Sequence, residues 1–93
     1  MIKIYRDKET EKLGEGRVSR RFPQDILRRA KMRLERIDAA VSLDDLRVPP
    51  SHRLEALSGD RRGQHSIRIN DQWRICFEWR NGDAYNVEIT DYH

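Results

Sequence analysis

The sequence predicts an α+β domain of two layers, in which an N-terminal strand and helices pack on one face of an antiparallel sheet. One long segment with apolar residues at helical spacing lies in the first half of the chain, and alternating, strand-like segments fill the second half. The length of 93 residues suits one domain with a modest core. No repeat, low-complexity tract or linker divides the chain, so we expect residues 1–93 to form a single domain.

The first half opens with an apolar–polar alternation, "IKIY" at residues 2–5, which predicts a first strand. A polar stretch, "RDKETEKLGEG", follows as a short helix or loop that ends at Gly14 and Gly16. The clearest helix enters at Pro23, where a missing N–H costs least. Its apolar residues recur at spacings of three and four and predict one buried stripe: Leu27, Ala30, Leu34, Ile37 and Val41.

A capped turn and a break separate the helix from the sheet. "SLDDL" at residues 42–46 predicts a capped extra turn, and Pro49 and Pro50 end any helix there. "RLEAL" at residues 53–57 is compatible with a short strand, and glycines at 59 and 63 predict a turn after it.

Three alternating segments predict an antiparallel meander. "HSIRIN" and "WRICFEW" place apolar residues on one face, and Asn81-Gly82 is a strong hairpin signal. "AYNVEI" returns with Tyr85, Val87 and Ile89 directed inward. The aromatic residues of the middle strand belong to the core in this interpretation. The opposite face stays uncovered and carries Arg68, Arg74 and Glu78.

Positive charge is concentrated in one part of the chain. Between Arg17 and Arg36, eight basic residues stand against Asp25 and Glu35, which gives this segment a charge of +6 and the rest −3. Most of the basic residues are arginine, the cation that binds phosphate bidentately and stacks on bases. The distribution suits a nucleic-acid backbone, although a basic helix can also be an ordinary solvated face.

The single cysteine, Cys76, allows no intramolecular disulfide and fits a reducing compartment. The N-terminus has no apolar core of signal-peptide length, and no segment is long and apolar enough to cross a membrane. We therefore expect a cytoplasmic protein without membrane contact.

A long ordered run of residues resembles a known family. "RLEALSGDRRGQHSIRINDQWRICFEW", followed by "GDAY" and a terminal "DYH", closely resembles the HigB-type toxins of the RelE/ParE superfamily. The likeness extends from "MIK" to the last residue, and the run "LxxLxGDRxGxxSIRxNxxWRIxF" is its most specific part. "GD" or "DYH" alone would mean little.

The resemblance implies a RelE-like, microbial-ribonuclease-like fold and a toxin of a type II toxin–antitoxin system. Such a toxin enters the ribosome, cleaves messenger RNA during translation and needs no metal or other cofactor. It is neutralised by a helix-turn-helix antitoxin, here a HigA-like protein, and the complex of the two binds operator DNA and represses its own promoter.

The resemblance also implies catalytic residues, namely Asp91, Tyr92, His93 and Arg74. Relatives carry a His and a Lys at the positions of Glu55 and Ser58, so the carboxylate of Glu55 becomes the candidate second base. This departure affects the strength of cleavage and indicates a variant site.

Each catalytic candidate has a plainer alternative. His93 has an imidazole that titrates near neutral pH and suits a general acid or base, but it could be a solvated terminal residue. Tyr92 could bond phosphate, stack on a base or pack at the sheet edge. Asp91 could orient its neighbours or cap the strand. Arg74 is the expected phosphate clamp, and Glu55 could instead pair with a nearby arginine.

The remaining basic candidates concern RNA binding. Arg68 would support the phosphate clamp, although it could form a cross-strand ion pair with Glu78. The helix residues would contact RNA backbone without reading sequence, from a row that we expect to face solvent: Arg28, Arg29, Arg33 and Arg36.

A metal site is not expected, because the spacing of His52, His65 and His93 fits no zinc pattern. Two other functions remain open. A gyrase-directed toxin of the same fold would lack the terminal "DYH", which argues against that alternative. A weakly active or degenerate toxin that serves as antitoxin-binding co-repressor is favoured by Glu55 and Ser58.

Overall fold

The computed structural model describes residues 1–91 and confirms the predicted α+β class of two layers. Two α-helices lie on one face of a four-stranded antiparallel sheet in the order β1-β2-β3-β4. The elements are α1 (Lys8–Gly14), α2 (Gln24–Ala39), β1 (Glu55–Ala56), β2 (Gln64–Arg68), β3 (Trp73–Arg80) and β4 (Asp83–Asp91).

The N-terminal segment extends the sheet without forming a regular strand. It runs parallel to β4 and makes two isolated bridges, between Ile2 and Ala84 and between Tyr5 and Val87. The predicted first strand is therefore an extended segment paired with β4. Its backbone covers the first half of the outer edge of β4.

Helix α1 covers the next part of the same edge. Asp7 caps the helix and accepts a hydrogen bond from the Thr10 N–H at 2.7 Å. The buried hydroxyl of Thr10 then accepts the backbone N–H of Ile89 in β4 at 3.1 Å. A side chain of α1 thus satisfies a backbone donor that would otherwise face outward from the sheet.

Helix α2 supplies most of the helical side of the core, with a stripe that differs from the predicted one at its two ends. Val41 is 80% exposed, so its predicted place in the stripe is wrong: α2 ends at Ala39, and Ala40 is already extended. Leu27 is only partly buried. The buried positions of α2 are Ile26, Ala30, Leu34 and Ile37.

The predicted capped turn after the helix is confirmed as a short 3₁₀ turn, Leu43–Arg47, with a capping box between Ser42 and Asp45. A second 3₁₀ turn, Pro50–His52, follows a cis peptide bond. The His52 side chain is fully buried, and its Nδ1 lies 3.2 Å from the Leu46 carbonyl oxygen.

The sheet alternates as predicted until a bulge in β4. Asn81 and Gly82 both have positive φ angles, 51° and 83°, which confirms the hairpin. The register between β3 and β4 then shifts at Asn86, which also has a positive φ of 53°. The shift turns Tyr85 away from the core, so its predicted inward direction is wrong. The buried residues of β4 are Ala84, Val87 and Ile89.

Candidate active site

Arg74 lies on the open face of the sheet, opposite the helices, and is only 8% exposed. Its Nε donates to the Ser66 hydroxyl at 2.7 Å, and its Nη2 donates to the carbonyl oxygen of Arg53 at 2.7 Å. Nη2 is also 3.3 Å from the Ser66 carbonyl oxygen. A guanidinium with both of these nitrogens fixed is held in one orientation before any ligand arrives.

Arg53 reaches this position through an unusual backbone conformation. It ends the 3₁₀ turn Pro50–His52 in the left-handed region, with φ at 46°. Non-glycine residues seldom adopt this region, and where they do the surrounding structure holds them in place. Neither Ser66 nor Arg53 was predicted for the site. No sequence signal could have identified Arg53, because it contributes a backbone carbonyl.

Glu55 is the second predicted residue that the structure brings to Arg74. It lies in β1 opposite Ser66, and its Oε1 is 3.6 Å from Arg74 Nη2. The Glu55 side chain is 48% exposed, whereas that of Arg74 is 9% exposed. The pair therefore combines a fixed cation with a carboxylate that solvent can reach.

Arg68 is directly opposite Arg74 in the register of β2 and β3. Its Nε donates to the Asn70 carbonyl oxygen at 3.1 Å, and its Nη2 pairs with Asp71. The considered ion pair between Arg68 and Glu78 is absent from the described residues. Two arginines thus lie side by side on the open face, and a local partner orients Arg68.

Asp91 is at the end of β4, opposite Trp73, whereas Arg74 faces Thr90. Successive side chains alternate between faces, so Asp91 and Arg74 are on opposite sides of the sheet. The Asp91 Oδ2 accepts a hydrogen bond from Gln72 Nε2 at 3.1 Å. The predicted catalytic residues Tyr92 and His93 lie outside the described residues.

A second charged cluster lies on the open face, and no pattern in the sequence predicted it. Glu88 is opposite Cys76 and pairs with two arginines: Arg61 Nη1 at 2.7 Å and Arg6 Nε at 3.3 Å.

Cys76 is fully buried, and burial raises the pKa of its thiol. The cysteine therefore stays protonated at neutral pH, and it suits packing better than nucleophilic chemistry.

Two arginines of the basic row on α2 form hydrogen bonds within the protein, which the sequence did not predict. Arg33 Nε donates to the Arg68 carbonyl oxygen at 3.1 Å, and Arg29 Nη1 to the Ile69 carbonyl oxygen at 3.3 Å. Burial lowers the pKa of Arg33, as do the charges of the neighbouring arginines. The prediction of a fully solvent-facing row is wrong at Arg33, which is partly buried. The exposed members are Arg28, Arg29 and Arg36.

Three arginines of this row, Arg28, Arg29 and Arg33, border a groove of about 520 Å³ between α2 and the β2–β3 turn. Among residues 1–91, no group of three His, Cys, Asp or Glu side chains could hold a metal ion. Over the same range, no helix is long and apolar enough to span a membrane.

The fold places the protein in a class of small two-layer α+β domains that includes YafQ from E. coli. A point mutant of YafQ matches with a TM-score of 0.63 and 12% identity, covering 98% of this chain and 93% of that chain. YafQ from strain BL21(DE3) matches with a TM-score of 0.56 and 13% identity over the same shares. At these identities the likeness shows the fold alone.

The sequence then identifies the particular family. A family model described as the RelE-like toxin of the type II toxin-antitoxin system HigB matches residues 3–93, and the chain belongs to this family. The resemblance inferred from the sequence is thereby confirmed. As a toxin of a type II system, the protein has an antitoxin as its partner.

Two curated relatives cover nearly the whole chain. "Endoribonuclease HigB" of Proteus vulgaris is 38% identical over 93 residues, which is 100% of both proteins. "Toxin HigB-1" of Vibrio cholerae serotype O1 is 40% identical over 89 residues, or 95% of this chain and 94% of the relative.

Proposed function

We propose that the protein is an endoribonuclease toxin that cleaves messenger RNA on the translating ribosome without a metal ion. The pairing of Arg74 with Glu55 carries this proposal, because it places a fixed cation beside an accessible carboxylate on the sheet face opposite the helices. The relative named Endoribonuclease HigB supports RNA as the substrate.

The reaction needs a base, a cation and an acid. The ribose 2′-OH attacks the adjacent phosphate, a new O–P bond forms, and the bond to the 5′-oxygen breaks. Glu55 would accept the 2′-OH proton, and Arg74 would stabilise the charge that develops on the phosphate oxygens. The two residues are close enough to act on one ribose–phosphate unit.

The end of the chain would complete the reaction. His93 would donate a proton to the 5′-oxygen that leaves, since imidazole side chains are common general acids near neutral pH. Tyr92 would bond phosphate or stack on a base. Asp91, at the end of β4, would hold its neighbours in place rather than contact Arg74 directly, because its side chain is on the other face.

The arginines outside the reaction would bind the RNA backbone. Arg68 would extend the positive surface beside Arg74, and Arg28 and Arg36 on α2 would contact ribosomal RNA. Arg29 and Arg33 would contribute charge while their hydrogen bonds fix the end of β2. These contacts give affinity and steering and leave base recognition to the open face.

The partners of this activity would be a translating ribosome, its messenger RNA and a HigA-like helix-turn-helix antitoxin. The complex of toxin and antitoxin would bind operator DNA and regulate its own synthesis. Such a target places the activity in the cytoplasm.

The test is to induce the protein in bacteria without antitoxin and to map messenger RNA 5′ ends on ribosomes. The wild type is compared with a version that lacks His93 and with Glu15→Gln, a control carboxylate in an exposed ion pair with Arg17. We expect cleavage within codons from the wild type and the control and none from the truncated version.

Equal cleavage by the truncated version would refute the role of His93. Growth arrest without messenger RNA cleavage would refute the endoribonuclease proposal and favour gyrase or another target. Neither arrest nor cleavage would favour the co-repressor function.

A further inference from the structure

A small cavity lies at the end of β4 and is only partly explained by the proposed reaction. It has a volume of about 290 Å³ and joins the sheet to the segment that enters α2. We call it the β4-edge cavity. Its walls include Arg21, Trp73, Arg61, Glu88, Thr90 and Asp91.

One wall presents the cation of Arg21, whose charge adds to the hydrogen bond from Lys12 in lowering the pKa of the nearby Glu9 carboxyl. The Arg21 guanidinium carbon lies 6.0 Å from the centre of the Phe22 ring, and among residues 1–91 this guanidinium has no ion-pair partner. Guanidinium groups are weakly hydrated and match the geometry of phosphate oxygens. Arg21 is therefore suited to bind a phosphate group that enters the cavity.

On the facing wall, the positive and negative side chains already pair with one another. Arg61 Nη1 pairs with Glu88 at 2.7 Å and also donates to Gln64 at 3.0 Å. With Arg6 on the other carboxylate oxygen, Glu88 has a cation on each side. Its charge is thus compensated and repels an incoming phosphate less than an isolated carboxylate would.

The cavity also has an aromatic surface. Trp73 is partly buried, and its ring meets Phe22 edge to face, with centroids 5.8 Å apart and an interplanar angle of 82°. Phe22 holds the indole in place, which is how stacking surfaces for unpaired bases are built. At about 290 Å³, the cavity is close to the lower bound of the range for small-molecule clefts, roughly 300–1,000 Å³, so we expect it to take no more than one nucleotide.

We propose that the β4-edge cavity is a subsite for one nucleotide of single-stranded RNA, with its base against Trp73 and its phosphate on Arg21. The inference rests on the proposed function, since RNA is the proposed substrate and Asp91, at the start of the proposed catalytic terminus, lines the cavity. The Thr90 hydroxyl and the Asp91 carboxylate, which also accepts from Gln72, line the same cavity. A paired strand cannot present its bases in this way.

The test follows the fluorescence of Trp73. The chain has two tryptophans, and Trp79→Phe leaves Trp73 as the sole one. This variant is titrated with a 2′-O-methyl RNA hexamer, which lacks the attacking hydroxyl and stays intact. We expect quenching of the indole as the base stacks. Adding Arg21→Glu should weaken binding by about tenfold or more, since one phosphate contact is replaced by repulsion.

Arg20→Glu is the matched control. It makes the same change of net charge one residue away. Arg20 is not among the walls of the β4-edge cavity, although Arg20 and Arg21 both border a second cavity with Glu9 and Lys12. We expect this variant to bind within about threefold of its parent, because only the general field changes. Thermal melts of both variants verify that the fold is kept.

Three results would overturn the inference: no quenching at millimolar RNA, equal weakening by both arginine variants, or the same quenching by inorganic phosphate alone. The titration needs neither ribosome nor cleavage, so it separates the two proposals. A protein that binds the hexamer as described but never cleaves messenger RNA refutes only the proposed function. Cleavage without any Trp73 response refutes only the subsite.

Discussion

Glu55 Oε1 lies 3.6 Å from Nη2 of Arg74, across the intervening strand β2. The two side chains differ in how firmly the surrounding structure holds them. Arg74 is buried and hydrogen-bonded to Ser66 and Arg53, while the Glu55 carboxylate reaches solvent from the two-residue strand β1. Fixing the cation and leaving the base accessible suits a reaction in which the substrate must come between them.

Replacing Glu55 with Gln should separate chemistry from stability. The substitution keeps the shape and removes the base, so we expect messenger RNA cleavage to fall by about 10² or more. The free energy of unfolding should change by less than about 1 kcal/mol, because the carboxylate is half exposed and screened. Cleavage rates and urea denaturation measure the two effects. Wild-type cleavage by Glu55→Gln would mean that the base is elsewhere.

Arg74→Lys should impair both messenger RNA cleavage and folding stability. Lysine keeps the charge but cannot reproduce the planar fork that donates to Ser66 and to the Arg53 carbonyl. We expect a loss of about 2 kcal/mol in unfolding free energy and a large loss of cleavage at temperatures where the variant is folded. Arg80→Lys is the control, since Arg80 is exposed and stacks on Tyr85. Equal stability of the two variants would contradict the structural role of Arg74.

The arginines of α2 should fall into two groups. Arg33→Ala removes a hydrogen bond to the Arg68 carbonyl, and we expect it to lower the unfolding free energy by about 1–2 kcal/mol. Arg36→Ala changes an exposed side chain and should alter stability by less than about 0.5 kcal/mol. It should weaken ribosome binding most at low salt, as measured by co-sedimentation at two salt concentrations. Matching denaturation curves for both variants would refute this division.

His52 should make stability depend on pH. Burial lowers the pKa of His52 below its ordinary 6.5, against the smaller raising effect of its bond to the Leu46 carbonyl. The native state therefore favours the neutral ring. Stability is complete above pH 6.5 and falls as the pH drops below it, because the unfolded chain takes up a proton that the native state resists.

His52→Gln should flatten this fall in denaturation midpoints measured between about pH 8 and pH 5. Burial also lowers the pKa of His65, so that residue accounts for part of the slope and His65→Gln serves as comparison. A curve for His52→Gln that runs parallel to the wild type would exclude His52 as the source.

Patterns that depend on neighbours along the chain predicted the fold well, and contacts between distant segments explain the failures. The Ser42 cap and the Asn81-Gly82 hairpin were predicted because each depends on a few adjacent residues. Tyr85 was misplaced because the bulge at Asn86 shifts the two-residue alternation by one position. Val41 was misplaced because the helical spacing continues in the sequence after the helix has ended.

The candidate site shows the same division. Strand alternation put Arg74 on the open face, and the resemblance added Glu55. The Arg53 carbonyl could not be predicted, since any residue has one and only the left-handed backbone turns it toward Arg74. Similarly, the arginines at 29 and 33 bind carbonyls some forty and thirty-five positions away.

The sheet has one very short edge strand and one largely covered edge, and this has a consequence for the toxin when it is released from its antitoxin. One edge is β1, which is two residues long, and the N-terminal segment and the Thr10 hydroxyl cover much of β4. Unpaired edge strands are templates on which other chains add and aggregate. With little free edge of this kind among residues 1–91, the liberated protein has a physical reason to remain dispersed.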